Sequence, residues 1–206
     1  MLTLYAATGT GSVAPQALLA HLDVEHRIQW IDYDSEEHHA AEYLKVNPRG
    51  QLPTLVLEDG TVVTESLAIV LLIAERYGSG IMPPAGSSEH ALTYRWMAFA
   101  ATNLYEGLLR ILYPHSYTTN PDSEPVKSSA DAYLHNAFGI LEREIGTGNH
   151  LVGDTVGIVD IYVAMLLTWY PDQEKLRESY PGLTRVFESA TALADVRKVF
   201  EENELI

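Results

Sequence analysis

The chain has 206 residues, 47% of them apolar, carries a formal charge of −15 and contains no cysteine. That length fits one large domain or two small ones, and the absence of cysteine excludes disulfides, Cys-based metal sites and a protein thiol nucleophile. Residues 1–80 carry 4 Lys/Arg against 11 Asp/Glu and the rest 9 against 17, so no part offers a basic footprint, and neither nucleic acid nor an anionic membrane is expected as a partner.

In chain order, "LTLYA" (Leu2–Ala6) alternates as a first strand. "TGTGS" follows, then "VAPQALLAHLDV" predicts a helix, with Ser12 as N-cap and Pro15 tolerable in the first turn. "HRIQWIDYD" (His26–Asp34) predicts a second strand, and "SEEHHAAEYLKVNP" is helix-prone up to Pro48. "PTLVL" is a third strand. Asp59-Gly60 signals a tight hairpin with both turn positions at φ > 0, and "TVVT" returns antiparallel. "SLAIVLLIAERYG" predicts a helix stopping at Gly78. The first domain is therefore β-α-β-α-β-β-α over 1–78. Gly, Pro and Ser mark a linker over 79–88. From 89 to 206 the pattern is helical. "EHALTYRWMAFAATNLYEGLLRILY" places Leu92, Trp96, Phe99, Leu104, Leu108 and Ile111 at steps of three to five. "VKSSADAYLHNAFGILEREIG" is amphipathic, and "GIVDIYVAMLLTWY", apolar almost all round, predicts a buried helix. Gln173–Ser179 and Leu183–Phe200 finish the chain. No apolar run approaches the roughly 18 residues of a membrane span. "MLTLYAATGTG" lacks the features of a signal peptide, so a cytoplasmic location is expected.

The run "NPRGQLPTLVLEDGTVVTES" (Asn47–Ser66) carries the functional signal. Ser66 falls where a helix begins, and a helix N-terminus offers free N–H groups and partial positive charge to a carboxylate. Glu65 beside it can accept from an ammonium, so the pair suits an α-amino-acid zwitterion. The plainer alternative is that Ser66 caps the helix and Glu65 favours its dipole. Pro53 opens a strand, where a missing N–H is tolerated. A kink there would leave the N–H and C=O of Leu52 facing outward, able to pair with an extended peptide as an added strand does.

These residues, continued through "LAIVLLIAERY", resemble the glutathione-site segment of cytosolic glutathione S-transferases: Asn-Pro-x-Gly-x-hydrophobic-Pro, a hairpin, then Glu/Asp-Ser. "LVGDTVGIVDIYVAML" and "YPGLTRVFESATALADVRKVF" resemble the buried and closing helices of the family's second domain, so the likeness covers nearly the whole chain. The resemblance implies a thioredoxin-like α/β domain followed by an all-α domain, a homodimer, and a bacterial-type member of unspecified class. It also implies glutathione as co-substrate and a small hydrophobic electrophile as acceptor, without a metal. Pro53 is similar to the family's cis-proline, Leu52 to the residue that pairs with the cysteinyl backbone of glutathione, Glu65 and Ser66 to those that hold the γ-glutamyl zwitterion, and Gln51 to a polar position beside them.

A free thiol has a pKa near 8.5, and the thiolate is the nucleophile. One hydroxyl donor plus a helix N-terminus suffices to lower that value by about two units, roughly 2.7 kcal/mol. "TGTGSVAP" supplies Thr8, Thr10 and Ser12 ahead of a helix. By the same resemblance the family's catalytic Tyr and Cys positions fall on Ala6 and Gly11, Ser12 is similar to the serine after that Cys, and Thr10 falls near the serine used in other classes. Ser12 is the first choice and Thr10 the second. Tyr105, Arg110, Tyr113 and Tyr117 are the candidates for the electrophile wall. Lys45, Arg49 and His39 are the cations available to the glycyl carboxylate. The second domain departs from the bacterial Cys class at Tyr105 and Glu106, and at Gly157 from the family's usual hydroxyl cap, with Asp160 retained. The expected activity is conjugation of the glutathione thiolate to the electrophile. The alternatives are another glutathione-dependent enzyme on this fold (isomerase, ether-cleaving lyase or dehalogenase) or a non-catalytic scaffold.

Overall fold

The computed structural model describes residues 1–78 and 80–206. The chain divides into two compact units, Met1–Met82 with Thr191–Ile206, and Pro83–Ala190. Ser79, where the sequence places the start of the linker, lies outside the described residues.

In the first unit, β1 (Leu2–Ala6), α1 (Val13–His21), β2 (His26–Trp30), α2 (Ala41–Leu44), β3 (Thr54–Val56), β4 (Val62–Thr64) and α3 (Ser66–Tyr77) reproduce the expected β-α-β-α-β-β-α order. The strands form one sheet in the order β2-β1-β3-β4. β1 runs parallel to β2, with Leu2 opposite His26, and antiparallel to β3, with Tyr5 opposite Thr54. Leu2, Leu4 and Ala6, which share one face of β1, are buried, as are Val13 to Leu19 along α1. A last helix, α10 (Ala194–Glu202), also belongs to this unit and buries Val196, Val199 and Phe200. The sequence, read without a Gly or Pro between Leu183 and Phe200, predicts one helix there. The structure instead breaks it at Leu193, which is extended (φ −70°, ψ 117°). α9 (Pro181–Thr191) ends before the break.

The hairpin differs from expectation in its turn. Gly60 has φ 86° and Asp59 is not left-handed. Gly60 N–H donates to Leu57 O at 3.0 Å, and Leu57 N–H donates to Thr61 O at 2.9 Å. That is a type I turn closed by a glycine bulge, the three-residue solution to the same twist requirement. The polar run before Pro48 yields little helix, because Glu36 is left-handed (φ 57°) and Ala40 extended. Gly78 ends α3 for a reason other than handedness: its φ is −86°, and a Cβ there would sit 2.4 Å from Ala74 O.

The second unit is helical: α4 (Ser88–Phe99), α5 (Glu106–Leu112), α6 (Glu124–Ile145), α7 (Ile158–Thr168), α8 (Gln173–Ser179) and most of α9. The predicted long first helix is interrupted by a π-type stretch, Ala100–Tyr105. The five-residue step from Phe99 to Leu104 is what a wider turn accommodates; Trp96, Leu104, Leu108 and Ile111 are all buried. α7 is buried along ten consecutive residues, Ile158 to Leu167, as its uniform hydrophobicity predicts. No helix among the described residues is long and apolar enough to cross a membrane.

Candidate functional site

Sheet register decides which segments meet. Thr54, the first residue of β3, lies opposite Tyr5 on one side and Thr64 on the other. The segment leading into β3 (Gln51–Pro53), the loop after β1 (Ala7–Ser12) and the exit of β4 (Glu65–Ser66) therefore gather at one end of the sheet. Sequence reasoning singled out all three.

Pro53 is buried, the Leu52–Pro53 peptide is cis and Leu52 is half-buried. A polar cluster that the sequence reading missed holds this segment. Tyr43 Oη donates to Gln51 O at 2.6 Å, and Asn47 Nδ2 donates to the same oxygen at 2.7 Å. Thr54 Oγ1 meets Tyr43 Oη at 2.9 Å and accepts from Asn47 Nδ2 at 3.1 Å. Tyr43, Asn47 and Thr54 are all buried, and burial pushes the Tyr43 phenol pKa above its usual value. The three side chains fix the residues on both sides of Leu52 and Pro53. Among the described residues the backbone N–H and C=O of Leu52 have no partner. The Gln51 side chain is exposed, so it is the Gln51 carbonyl that the fold uses.

Glu65 stands at the head of α3 with φ 66° and ψ 113°. This left-handed backbone costs a non-glycine residue on the order of 1–3 kcal/mol, and its carboxylate makes no capping bond to the helix. Instead Arg49 Nη1 donates to Glu65 Oε1 at 2.7 Å, both side chains being more than 60% exposed. The carboxylate thus accepts from a cation of the chain itself, one of the three residues considered for the glycyl carboxylate. Ser66 is buried at the first position of α3, beside N–H groups that the helix itself cannot satisfy. Lys45 pairs with Glu42 at 2.6 Å, and His39 packs on His38 with ring centroids 4.0 Å apart.

The thiol-loop expectation needs correcting. Ser12 has no exposed surface, and its hydroxyl is committed inward. It accepts from Ala7 N–H at 3.3 Å and from Gln16 Nε2 at 3.0 Å, and it reaches Ala7 O at 3.0 Å. It does not cap α1, although it occupies the N-cap position. A hydroxyl so placed cannot touch a ligand, so the order of preference between Ser12 and Thr10 reverses. Thr10 is partly exposed. Its Oγ1 lies 2.8 Å from Ala7 O and 2.9 Å from Ser12 Oγ. No local pattern announces Gln16, which is 5% exposed and joins Ser12 from the next turn of α1.

The electrophile candidates lie in the helical unit. Tyr105 ends the π-type stretch and meets the Trp169 ring edge-on at 5.0 Å. Arg110 Nη1 donates to Glu106 O at 2.7 Å, and its guanidinium stands 4.8 Å from the Tyr117 ring centre. Tyr113 is exposed. Burial, then the charge of Glu106, pushes the Tyr117 phenol pKa upward. Asp160 is buried in the first turn of α7, where it accepts from Gly157 N–H and Leu151 N–H, both at 2.8 Å. This is half of a capping box, since Gly157 has no side chain to complete it. Among the described residues no group of three or more His, Asp or Glu side chains is placed to hold a metal ion.

Comparison with known proteins agrees with this fold. Residues 15–76 match the glutathione S-transferase N-terminal domain, and residues 106–194 match the C-terminal domain. The chain is 27% identical to an uncharacterized GST-like protein, YncG, of Escherichia coli K12, across the full length of both. It is 31% identical to the glutathione S-transferase stcT of Emericella nidulans over 74% of this chain and 70% of that one. A glutathione transferase homologue from Sulfitobacter, solved with bound glutathione, superposes with a TM-score of 0.89 at 24% identity, covering 100% of this chain and 99% of that one.

Proposed function

Since the chain belongs to the glutathione S-transferase family, we propose that it binds glutathione at the end of the first sheet and adds its thiolate to a small hydrophobic electrophile. The observation that carries this reading is Glu65, a carboxylate held at φ 66° at the head of α3 without capping it. Strain retained at a residue whose side chain makes no bond to its own helix points to a ligand. The γ-glutamyl ammonium would replace Arg49 on Glu65. The γ-glutamyl carboxylate would take the N–H groups at the start of α3 and the Ser66 hydroxyl. The backbone of Leu52 would pair with the cysteinyl residue in strand fashion, with Gln51 alongside. Thr10 would donate to the sulfur and favour its thiolate at neutral pH. Tyr105, Arg110 and Tyr113 are proposed for the electrophile, with the aromatic faces supplying apolar contact and the hydroxyl and guanidinium groups stabilising developing charge.

Thermal unfolding with and without glutathione, on wild type and Glu65→Ala side by side, tests this. Ligand at about 100 times its dissociation constant should stabilise by roughly 2.7 kcal/mol, a rise of about 5–10 °C for a chain this size. The rise should vanish in the variant. A wild type indifferent to millimolar glutathione would refute the reading, and an equal rise in both proteins would move the site elsewhere.

A further inference from the structure

A continuous buried hydrogen-bonded chain runs from the residue after α10 to the thiol loop. Asn203 is 1% exposed. Its Nδ2 donates to Val199 O at 2.9 Å, and a carbonyl can only accept, so the orientation of this amide is fixed by the backbone. The other Nδ2 hydrogen goes to Gln16 Oε1 at 3.2 Å, while Asn203 Oδ1 accepts from Gly9 N–H at 3.4 Å. Gln16 must then turn its Nε2 toward Ser12 Oγ, 3.0 Å away. A hydroxyl oxygen has two acceptor sites. Gln16 fills one and Ala7 N–H fills the other. Ser12 therefore cannot accept from Thr10 and can only donate, either to Thr10 Oγ1 at 2.9 Å or to Ala7 O at 3.0 Å.

We propose that Asn203 is a positioning residue that sets the direction of these hydroxyl bonds and so leaves the Thr10 proton as the one available to an incoming thiol sulfur. The proposal rests on the glutathione reading above. While Ser12 donates to Ala7 O, the Thr10 hydroxyl can turn away from that carbonyl without leaving a buried acceptor unmet. Remove the donor from Asn203 and the Gln16 amide loses its orientation. Ser12 can then accept from Thr10, and the proton is drawn inward.

The test is a double-mutant cycle read on the pH at which the thiol of bound glutathione ionises, followed by thiolate absorbance. Thr10→Val should raise that pH by about one unit, the weight of one lost hydrogen bond to a charged sulfur. Asn203→Leu, neutral and of similar shape, should raise it in the same direction. The double variant should titrate where Thr10→Val does, because the second change acts only through the first. An unshifted Asn203→Leu, an unshifted Thr10→Val, or a further rise in the double variant would overturn the proposal. Should Asn203→Leu fail to fold, Gln16→Met interrupts the same chain one link nearer and should give the same coupling. S-methylglutathione, which has no thiol to ionise, should bind wild type and Asn203→Leu equally. If wild type does not bind it, the glutathione reading falls and this proposal with it; if it binds and the ionisation does not move, the proposal alone falls.

Discussion

Glu65 is a residue whose backbone and side chain want different things. Its φ of 66° suits glycine, and its exposed ion pair with Arg49 is of a kind worth at most about 1 kcal/mol. Glu65→Gly should therefore relieve more strain than it loses in contacts and in chain entropy, a net gain of about 1 kcal/mol, since glycine is an acceptable helix cap. Glutathione should cease to stabilise the same variant. Calorimetry with and without ligand checks both halves, and a less stable variant would show that Glu65 supports the fold rather than a ligand. At this scale the sequence named Glu65, Ser66, Leu52 and Pro53 from local chemistry, because helix ends and X-Pro steps are short-range features. It misjudged Ser12, whose hydroxyl faces inward only because Gln16 and Ala7 N–H meet it there.

Among the elements, α7 depends on one carboxyl group. Burial pushes the Asp160 pKa up from 3.8 to about 6, against the two backbone N–H bonds it accepts. A folded-state pKa above the unfolded one means the folded chain binds this proton more tightly. The contribution of Asp160 is then complete below about pH 3.8 and is lost as pH rises through about 6. The swing is on the order of 3 kcal/mol. Asp160→Asn removes the titration, so the advantage of wild type over this variant in denaturant unfolding should be larger at pH 4 than at pH 7. An advantage that grows with pH would mean that the two N–H bonds outweigh burial. The sequence located this cap because Gly157 and Asp160 are three residues apart, but the bond to Leu151 N–H, nine residues away, belongs to a loop no short pattern encodes. The π-type stretch Ala100–Tyr105 was half legible: the five-residue step from Phe99 to Leu104 was visible, its widened turn was not.

For the whole chain, the unexpected assignment is α10, which closes the first unit from the far end of the sequence. Val196, Val199 and Phe200 are buried there, and Asn203 reaches Gln16 and Gly9. Residues 1–82 produced alone should accordingly show no cooperative thermal transition by circular dichroism, because α1 would lose one of its apolar neighbours; a sharp transition would show α10 to be dispensable. What the sequence determined by itself was whatever rests on short-range pattern: the β-α-β-α-β-β-α order, the helical remainder and the Asn47–Ser66 run. What only the tertiary structure decided was whatever rests on burial by distant segments. Tyr43 and Asn47 brace the segment around Leu52 because both reach Gln51 O and Thr54 Oγ1 from the preceding stretch of chain, and the Ser12 hydroxyl is taken up inside because Gln16, itself bonded to Asn203 187 positions away, meets it there. A side chain's local sequence states what it can donate or accept; only packing states which partners remain for it.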